Sequence, residues 1–520
     1  MIELLHHAAR HSARRDPDAT AVVLGDERIT YGALEAQSNQ LARLLRVAGV
    51  TRGDRVALLV PKAPAAVVAM HGTLKAGGAY VPVDLASPPA RAAMVLRSAQ
   101  PRVVLAGEPA SALIDGLAAE GVLEGVGVIA LDGAPWRGLP DAPCDTPVQP
   151  GDLAHLLYTS GSTGVPKGVQ ITHAMACAFV SWAVAHFGTA PGERISGHPP
   201  LHFDLSTFDV YGTLLAGAEL HVVPQSANLL PGALAAFIRE SELTQWFSVP
   251  STLAFMARAD VIAEGDFPSL RRVLFCGEPM PVPVLAHWMR HVPHARYTNL
   301  YGPTETTIAS SYHDVPAIPR DETESLPIGL PCTGEELLVA GDDLRELPQG
   351  ELGEILIGGV GLSPGYWRDP QRTAAAFVPD PRDPARRLYR TGDLGWVDDA
   401  GLLRFAGRAD SQVKHRGYRI ELGEIETALN ALAGVRECAV VGVETGGFEG
   451  TMICCAYAGE GDGVTVPRLR AGLLRSLPAY MLPGRWLQLE TLPKNANGKI
   501  DRRAVRETFA AEPAGTGGGA

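Results

Sequence analysis

The sequence predicts an α/β fold: a large N-terminal part built from several subdomains, followed by a small α+β unit. Three observations point to this. Up to about residue 400, short apolar runs alternate with longer amphipathic stretches, the strand-loop-helix rhythm of α/β layers. From Leu422 onward the rhythm becomes a helix, two strand-like runs and another helix. The length of 520 residues holds two or more domains of ordinary size.

In chain order, Val56-Ala57-Leu58-Leu59-Val60 predicts a buried strand, and 63–75 the helix after it. Val103-Val104-Leu105 and Val128-Ile129-Ala130-Leu131 predict further buried strands. Leu156-Leu157-Tyr158 predicts a strand leading through a Gly/Ser/Thr loop to a long helix after His173. In the tail, Ile425, Leu429 and Leu432 fall at helical spacing; 439–443 and 452–457 read as strands, and 469–474 as a helix. The expected division is 1–409, 410–509 and a flexible end at 510–520.

Composition narrows the function class. Hydrophobic residues make up 46% and charged residues 20%, as in ordinary globular proteins. The net charge of −12, with both signs interleaved, argues against a nucleic-acid surface. No apolar stretch is long enough to cross a membrane and no secretory signal precedes the fold, so a cytoplasmic enzyme is expected. Seven scattered cysteines, including the pair Cys454-Cys455 in an apolar run, imply neither disulfides nor zinc. With 57 glycines and 41 prolines, defined turns and ligand loops are expected in number.

The strongest local signal is Tyr158-Thr159-Ser160-Gly161-Ser162-Thr163-Gly164-Val165-Pro166-Lys167-Gly168. Glycines let backbone amides approach an anion, hydroxyls add donors and a lysine adds charge, so the loop has the composition of a phosphate cradle. The Gly-x4-Gly-Lys-Ser/Thr spacing of the common P-loop is absent. Further along come Asn299-Leu300-Tyr301-Gly302-Pro303-Thr304-Glu305-Thr306, Tyr389-Arg390-Thr391-Gly392-Asp393-Leu394, Gly407-Arg408-Ala409-Asp410, Gly417-Tyr418-Arg419-Ile420-Glu421 and Asn497-Gly498-Lys499-Ile500-Asp501. Taken singly, Glu305 reads as a helix-start charge, Asp393 as a turn former and Lys499 as a solvated lysine.

In order and spacing the series resembles the core motifs of adenylate-forming enzymes, specifically the freestanding amino-acid adenylation enzymes of nonribosomal peptide synthesis. The resemblance spans nearly the whole chain. It implies an adenylate-forming large domain, a mobile small domain, ATP and Mg2+. Thr159, Ser160, Gly161, Ser162, Thr163, Gly164 and Lys167 would then hold the phosphates, and Thr304 would touch the α-phosphate. Glu305 would bind the metal, and Asp393 would accept from the ribose hydroxyls. Adenine would lie against Tyr301, with Gly277, Glu278 and Asn299 at its rim, and Gly302 would belong to the ATP site in the turn that carries Glu305. Arg408 would sit near the ribose and phosphates, Lys499 would bridge the substrate carboxylate, and Asp410 would be the hinge. Gly417 and Arg416 would face the thiol-delivering tunnel.

Asp204, in His202-Phe203-Asp204-Leu205-Ser206, matches the position that pairs a substrate ammonium; related acyl- and aryl-CoA ligases have no ammonium to neutralise there. Carried over by motif, the pocket wall would be Leu205, Phe208, Ser248, Leu274, Cys276, Leu300, Ile308 and Ala309. With no second charge, it suits a small neutral amino acid: alanine, glycine, serine, cysteine or proline. The acceptor would be a separate carrier protein, through its pantetheine thiol or a carrier-bound amine, and a helper protein is compatible with the family. An acyl- or aryl-CoA ligase and a non-catalytic adenylate-binding homologue are the alternatives.

Three features read as decoys. His6-His7-Ala8-Ala9-Arg10-His11 resembles part of a condensation motif without its Asp-Gly and is expected as a surface helix. His287, His291 and His294 recur at helical spacing with no acidic or cysteine partner in the metalloprotease arrangement, so no metal is expected there. Gly361-Leu362-Ser363 is expected to be structural.

Overall fold

The computed structural model describes residues 2–143, 146–161, 164–319, 325–409, 412–444, 450–459, 464–494 and 500–511. Two large sheets carry the N-terminal part. The first runs Gly127–Ala130, Val103–Ala106, Arg55–Leu59, Ala79–Pro82, Leu153–Thr159, Lys167–Thr172. Its first five strands are parallel, and the sixth returns antiparallel to the fifth. The second has a parallel half, Thr20–Leu24, Glu219–Val222, Arg194–Gly197, Gln245–Ser248, Arg272–Cys276 and Arg296–Tyr301. It continues antiparallel from Ser311–Val315 through Pro327–Pro331 and Leu403–Arg408 to Asp383–Val397, Gly353–Gly359 and Glu335–Ala340.

One apolar core joins the two sheets, with Val56 and Leu58 of the first packed in the same cluster as Val22, Leu220 and Val222 of the second. The helix Pro64–Lys75 lies within it and is buried on every side, as its nearly uninterrupted apolar sequence requires. Its buried Lys75 is fully engaged: Nζ lies 2.6 Å from Glu35 Oε2 and 2.8 Å from both Ser38 Oγ and Asn39 Oδ1. The C-terminal unit holds a hairpin, Gln412–His415 with Tyr418–Glu421, and a three-stranded sheet of Val435–Glu444, Thr451–Gly459 and Arg485–Gln488. Helices Leu422–Asn430, Val466–Leu473 and Arg502–Ala511 flank that sheet.

The structure differs from the sequence reading at several points. Gly127–Ala130 is a largely exposed edge strand, because among the described residues it pairs only with Val103–Ala106. The glycine loop joins two antiparallel strands, and the helix His173–Phe187 begins only after the second, capped by the Thr172 hydroxyl accepting from the Met175 amide. The hairpin at 412–421, the strand Arg485–Gln488 and the helix Arg502–Ala511 are additional elements. The helix His7–Arg15 buries Ala8, Ala9 and Ser12, so only part of it is surface. Ser363 Oγ donates to the Gln170 carbonyl at 2.8 Å, which accounts for its motif structurally. The described cysteines are free and buried, and no helix among the described residues is long and apolar enough to cross a membrane.

Candidate active site

The carboxyl ends of parallel strands are where open α/β sheets bind ligands. Here they carry the loops after Gly197, Ser248, Cys276 and Tyr301, while the hairpin Leu153–Thr159/Lys167–Thr172 closes the cleft from the first sheet. The hairpin register sets Thr159 opposite Lys167. Between them, a Cβ on Gly161 would fall 2.3 Å from the Val165 carbonyl oxygen, so the loop closes only around glycine. The Thr159 hydroxyl is buried without a partner, a donor facing an unfilled need. Ser162 and Thr163 lie outside the described residues.

Glu305 is the electrostatic centre and is completely buried. Lys167 Nζ lies 3.2 Å from Oε1, the Tyr366 hydroxyl donates to Oε1 at 2.8 Å, and Arg419 Nη1 lies 2.8 Å from Oε2. Burial by itself would raise this carboxyl's pKa; Arg419 and Lys167 outweigh it and hold Glu305 well below the usual carboxylate range. Burial, with Arg419 adding to it, lowers Lys167 in turn. Beside this cluster opens a cavity of ≈ 300 Å³ whose lining includes Lys167, Arg372, Arg390, Arg408 and Arg419. Such a density of cations suits a polyanion.

Asp393 accepts from the Tyr301 hydroxyl at 2.7 Å through Oδ2 and from Arg408 through Oδ1. Residues Tyr301, Asp393 and Arg408 therefore form one connected group. Asn299 is turned into the fold, its amide donating to the Pro327 carbonyl at 2.8 Å. A Cβ on Gly302 would meet the Ala309 backbone at 2.7 Å. Gly277 has φ +97°, and the next residue, Glu278, uses both carboxylate oxygens: Oε2 accepts from the Ser251 amide at 2.9 Å and Oε1 from the Gly417 amide at 2.6 Å. Lys414 holds its ammonium 5.6 Å over the Tyr301 ring. Asp410 and Lys499 lie outside the described residues.

Behind the cleft, Leu205, Phe208, Leu274, Cys276, Leu300, Ile308 and Ala309 meet in one buried cluster with Phe179, Phe187 and Phe247. Helix residues Phe208–Gly212 wind as a π-helix, a local irregularity common at functional sites, and a Cβ on Gly212 would press on the Phe208 ring at 2.6 Å. Ile308 sits at φ +71°, a strained conformation for a β-branched residue and one concentrated at functional sites. Ser248 is not part of this wall. Its hydroxyl accepts from Trp246 Nε1 at 2.9 Å, and Trp246 packs in the core on the other face of the sheet, leaving Phe247 as the strand's contribution. Next to Leu205 of this cluster, Asp204 accepts from the Thr304 hydroxyl at 2.7 Å, and burial pushes its pKa up to about 6.

The sequence reading gave no role to four residues the fold brings here: Arg419, Tyr366, Lys414 and Phe247. Arg419 stood inside a quoted motif. Tyr366, 61 positions from Glu305, had no signal of its own.

Residues 9–367 match the family of AMP-binding enzymes, and residues 424–499 match the AMP-binding enzyme C-terminal domain. The chain belongs to the AMP-binding enzyme family. It is an adenylate-forming ligase whose likeness is to nonribosomal peptide synthetase adenylation domains, and its two-part α/β architecture is that of the family. It is 36% identical to an L-proline (L-prolyl-carrier protein) ligase of Pseudomonas fluorescens over 510 residues, covering 97% of this chain and 99% of that one. Identity to tyrocidine synthase 1 of Brevibacillus parabrevis is 35% over 504 residues, 97% of this chain but only 45% of the larger protein. The Vibrio cholerae adenylation domain AlmE, solved with glycyl-adenosine-5'-phosphate, superposes with a TM-score of 0.84 at 25% identity, covering 98% of each chain. Enzymes of this AMP-binding family use ATP.

Proposed function

We propose that this enzyme activates a small neutral amino acid as its aminoacyl-AMP and transfers the aminoacyl group to a carrier protein. The substrate carboxylate oxygen bonds to the α-phosphorus of ATP as pyrophosphate leaves. A carrier thiol or carrier-bound amine then bonds to the acyl carbon as AMP leaves. Two anions meet in the first step, so positioning and charge neutralisation are what the protein must supply.

The carrying observation is Asp204: a buried carboxyl beside an apolar cluster, hydrogen-bonded to a neutral hydroxyl and disfavoured as an anion until a cation joins it. An amino-acid ammonium is that cation. Leu205, Phe208, Leu274, Cys276, Leu300, Ile308 and Ala309 would receive the side chain, and their close packing favours alanine-, glycine-, serine- or cysteine-sized groups or the proline ring. The prolyl-carrier protein ligases and the glycyl-adenylate in AlmE are both consistent with a compact substrate.

In the cleft, Lys167 and Arg408 would meet the phosphates, Thr304 the α-phosphate, Asp393 the ribose and Tyr301 the adenine. Lys499 would bridge the substrate carboxylate, and Asp410 would serve as the hinge for small-domain rotation. Glu305 fits a hard divalent cation, since it is an ionised carboxylate in a site prepared for phosphate oxygens. When bound there, Mg2+ would neutralise phosphate charge. Both oxygens of Glu305 are engaged by protein donors in the conformation seen, so the metal and Arg419 compete for the same carboxylate.

Pyrophosphate exchange across the proteinogenic and small β-amino acids tests the reading, with a small neutral residue expected to be best. Arginine or tryptophan as best substrate would overturn the pocket assignment, and preference for a deaminated acid would point to an acyl-CoA ligase.

A further inference from the structure

His287 and His291 stand one turn apart on the helix Val282–His291 and therefore share a face. Their rings lie 4.1 Å apart between centroids. The neighbouring helix Pro250–Arg258 ends beside them, and two residues later Asp260 adopts φ +51°, a left-handed conformation that aspartate tolerates better than most residues. That turn completes a cluster: one ligating atom from each of Asp260, His287 and His291 falls within 4.8 Å of the others. No carboxylate accompanies these histidines in the local sequence; the fold supplies one from the turn that follows the adjacent helix.

Both imidazoles are prepared to act as ligands. His291 Nδ1 lies 2.8 Å from the His287 carbonyl. A carbonyl only accepts, so Nδ1 carries the proton and Nε2 is left with its lone pair, the arrangement that orients metal-binding histidines. His287 Nε2 is buried with no hydrogen-bond partner. The joint is firm, because Trp288 Nε1 donates to the Leu253 carbonyl at 3.0 Å and both residues pack in one core.

We propose that Asp260, His287 and His291 bind a divalent transition-metal ion of the zinc class, with solvent completing the coordination. Two imidazoles and one carboxylate suit zinc or cobalt, whereas magnesium and calcium prefer all-oxygen sites. None of the three residues belongs to the nucleotide cleft or the amino-acid pocket, so the ion is separate from any metal at Glu305. It would tie the end of Pro250–Arg258 to Val282–His291.

The test is a titration of tag-free, chelator-stripped full-length protein with Co2+ in the absence of nucleotide, followed by visible absorption and calorimetry. One saturable equivalent with d–d bands, displaced by Zn2+, is expected. His287→Gln and His291→Gln should each weaken binding more than about ten-fold, the size of effect that even outer-sphere changes produce, and Asp260→Asn should weaken it measurably. The three side chains are not core residues, so circular dichroism of each variant should match the parent. Absence of saturable binding overturns the proposal. So does unchanged Co2+ affinity in a His287→Gln/His291→Gln double variant, which would place the ion on other ligands.

Discussion

The Arg419 guanidinium, on the small domain, lies 2.8 Å from the Glu305 carboxylate of the large domain. The two residues are 114 positions apart and meet only because the hairpin Gln412–His415/Tyr418–Glu421 docks over the cleft. Further contacts hold that docking: Arg91 with Glu424, Gly417 with Glu278, and Tyr418 edge-on to Phe203 at 4.8 Å. Since Lys167 keeps Glu305 paired without it, Arg419→Ala should leave the fold intact. Pyrophosphate exchange is expected to stay within about three-fold while aminoacyl transfer to the carrier falls at least about ten-fold, a loss of roughly 1.4 kcal/mol in transition-state stabilisation. Equal loss of both steps would dissociate this contact from the second reaction.

Gly417 is required by geometry. It has φ +80°, and a Cβ there would lie 2.6 Å from Val249 Cγ1. Gly417→Val adds both the clash and a β-branched residue at positive φ. Single-turnover transfer from preformed aminoacyl-AMP should collapse, whereas amino-acid-dependent exchange should persist.

Asp204→Asn should trade function for stability. The folded pKa near 6 exceeds the free value of 3.8, so protonated Asp204 favours the folded state. That contribution is fully present below about pH 4 and is lost as pH rises through 6. At pH 7 the ionised form costs about 3 kcal/mol relative to an unburied aspartate. Calorimetry at pH 4 and pH 8 should show the asparagine variant gaining stability mainly at pH 8, with exchange activity lost at both.

Leu274→Ala opens the pocket at a fully buried position. A stability loss of about 2 to 5 kcal/mol is expected from the cavity. The kcat/KM ratio of valine to alanine should rise by about ten-fold or more, the range that one or two methylenes command. An unchanged ratio would remove Leu274 from the substrate wall.

The sequence was most legible where the chemistry is local. Gly161 and Lys167 announce an anion loop because backbone exposure, hydroxyls and charge must all be present within a few residues, whereas Asp204 is marked only by the family resemblance. Ser248 shows the opposite case. All four residues of Gln245–Ser248 are buried, so no alternation of polarity reveals which face each occupies, and an error of one position sends a side chain to the wrong core. The run at 128–131 was apolar enough to read as buried, yet the place of Gly127–Ala130 at the sheet edge leaves that strand largely in solvent. Asp260 is separated from the helix of His287 by the strand Arg272–Cys276, and only the packing of the two helices makes the three ligands neighbours.

By itself the sequence determined the α/β class, the turn chemistry of the nucleotide loops and the set of charged and hydroxyl groups available, since each depends on residues close along the chain. Tertiary structure decided which charges pair. Arg419 and Lys167 compensate one buried carboxylate, Asp204 meets the neutral Thr304 hydroxyl, and Glu278 spends both oxygens on backbone amides. The physical reason is that a buried charge is tolerated or disfavoured according to what lies within a few ångströms of it, and those neighbours come from strands and domains far apart in the chain.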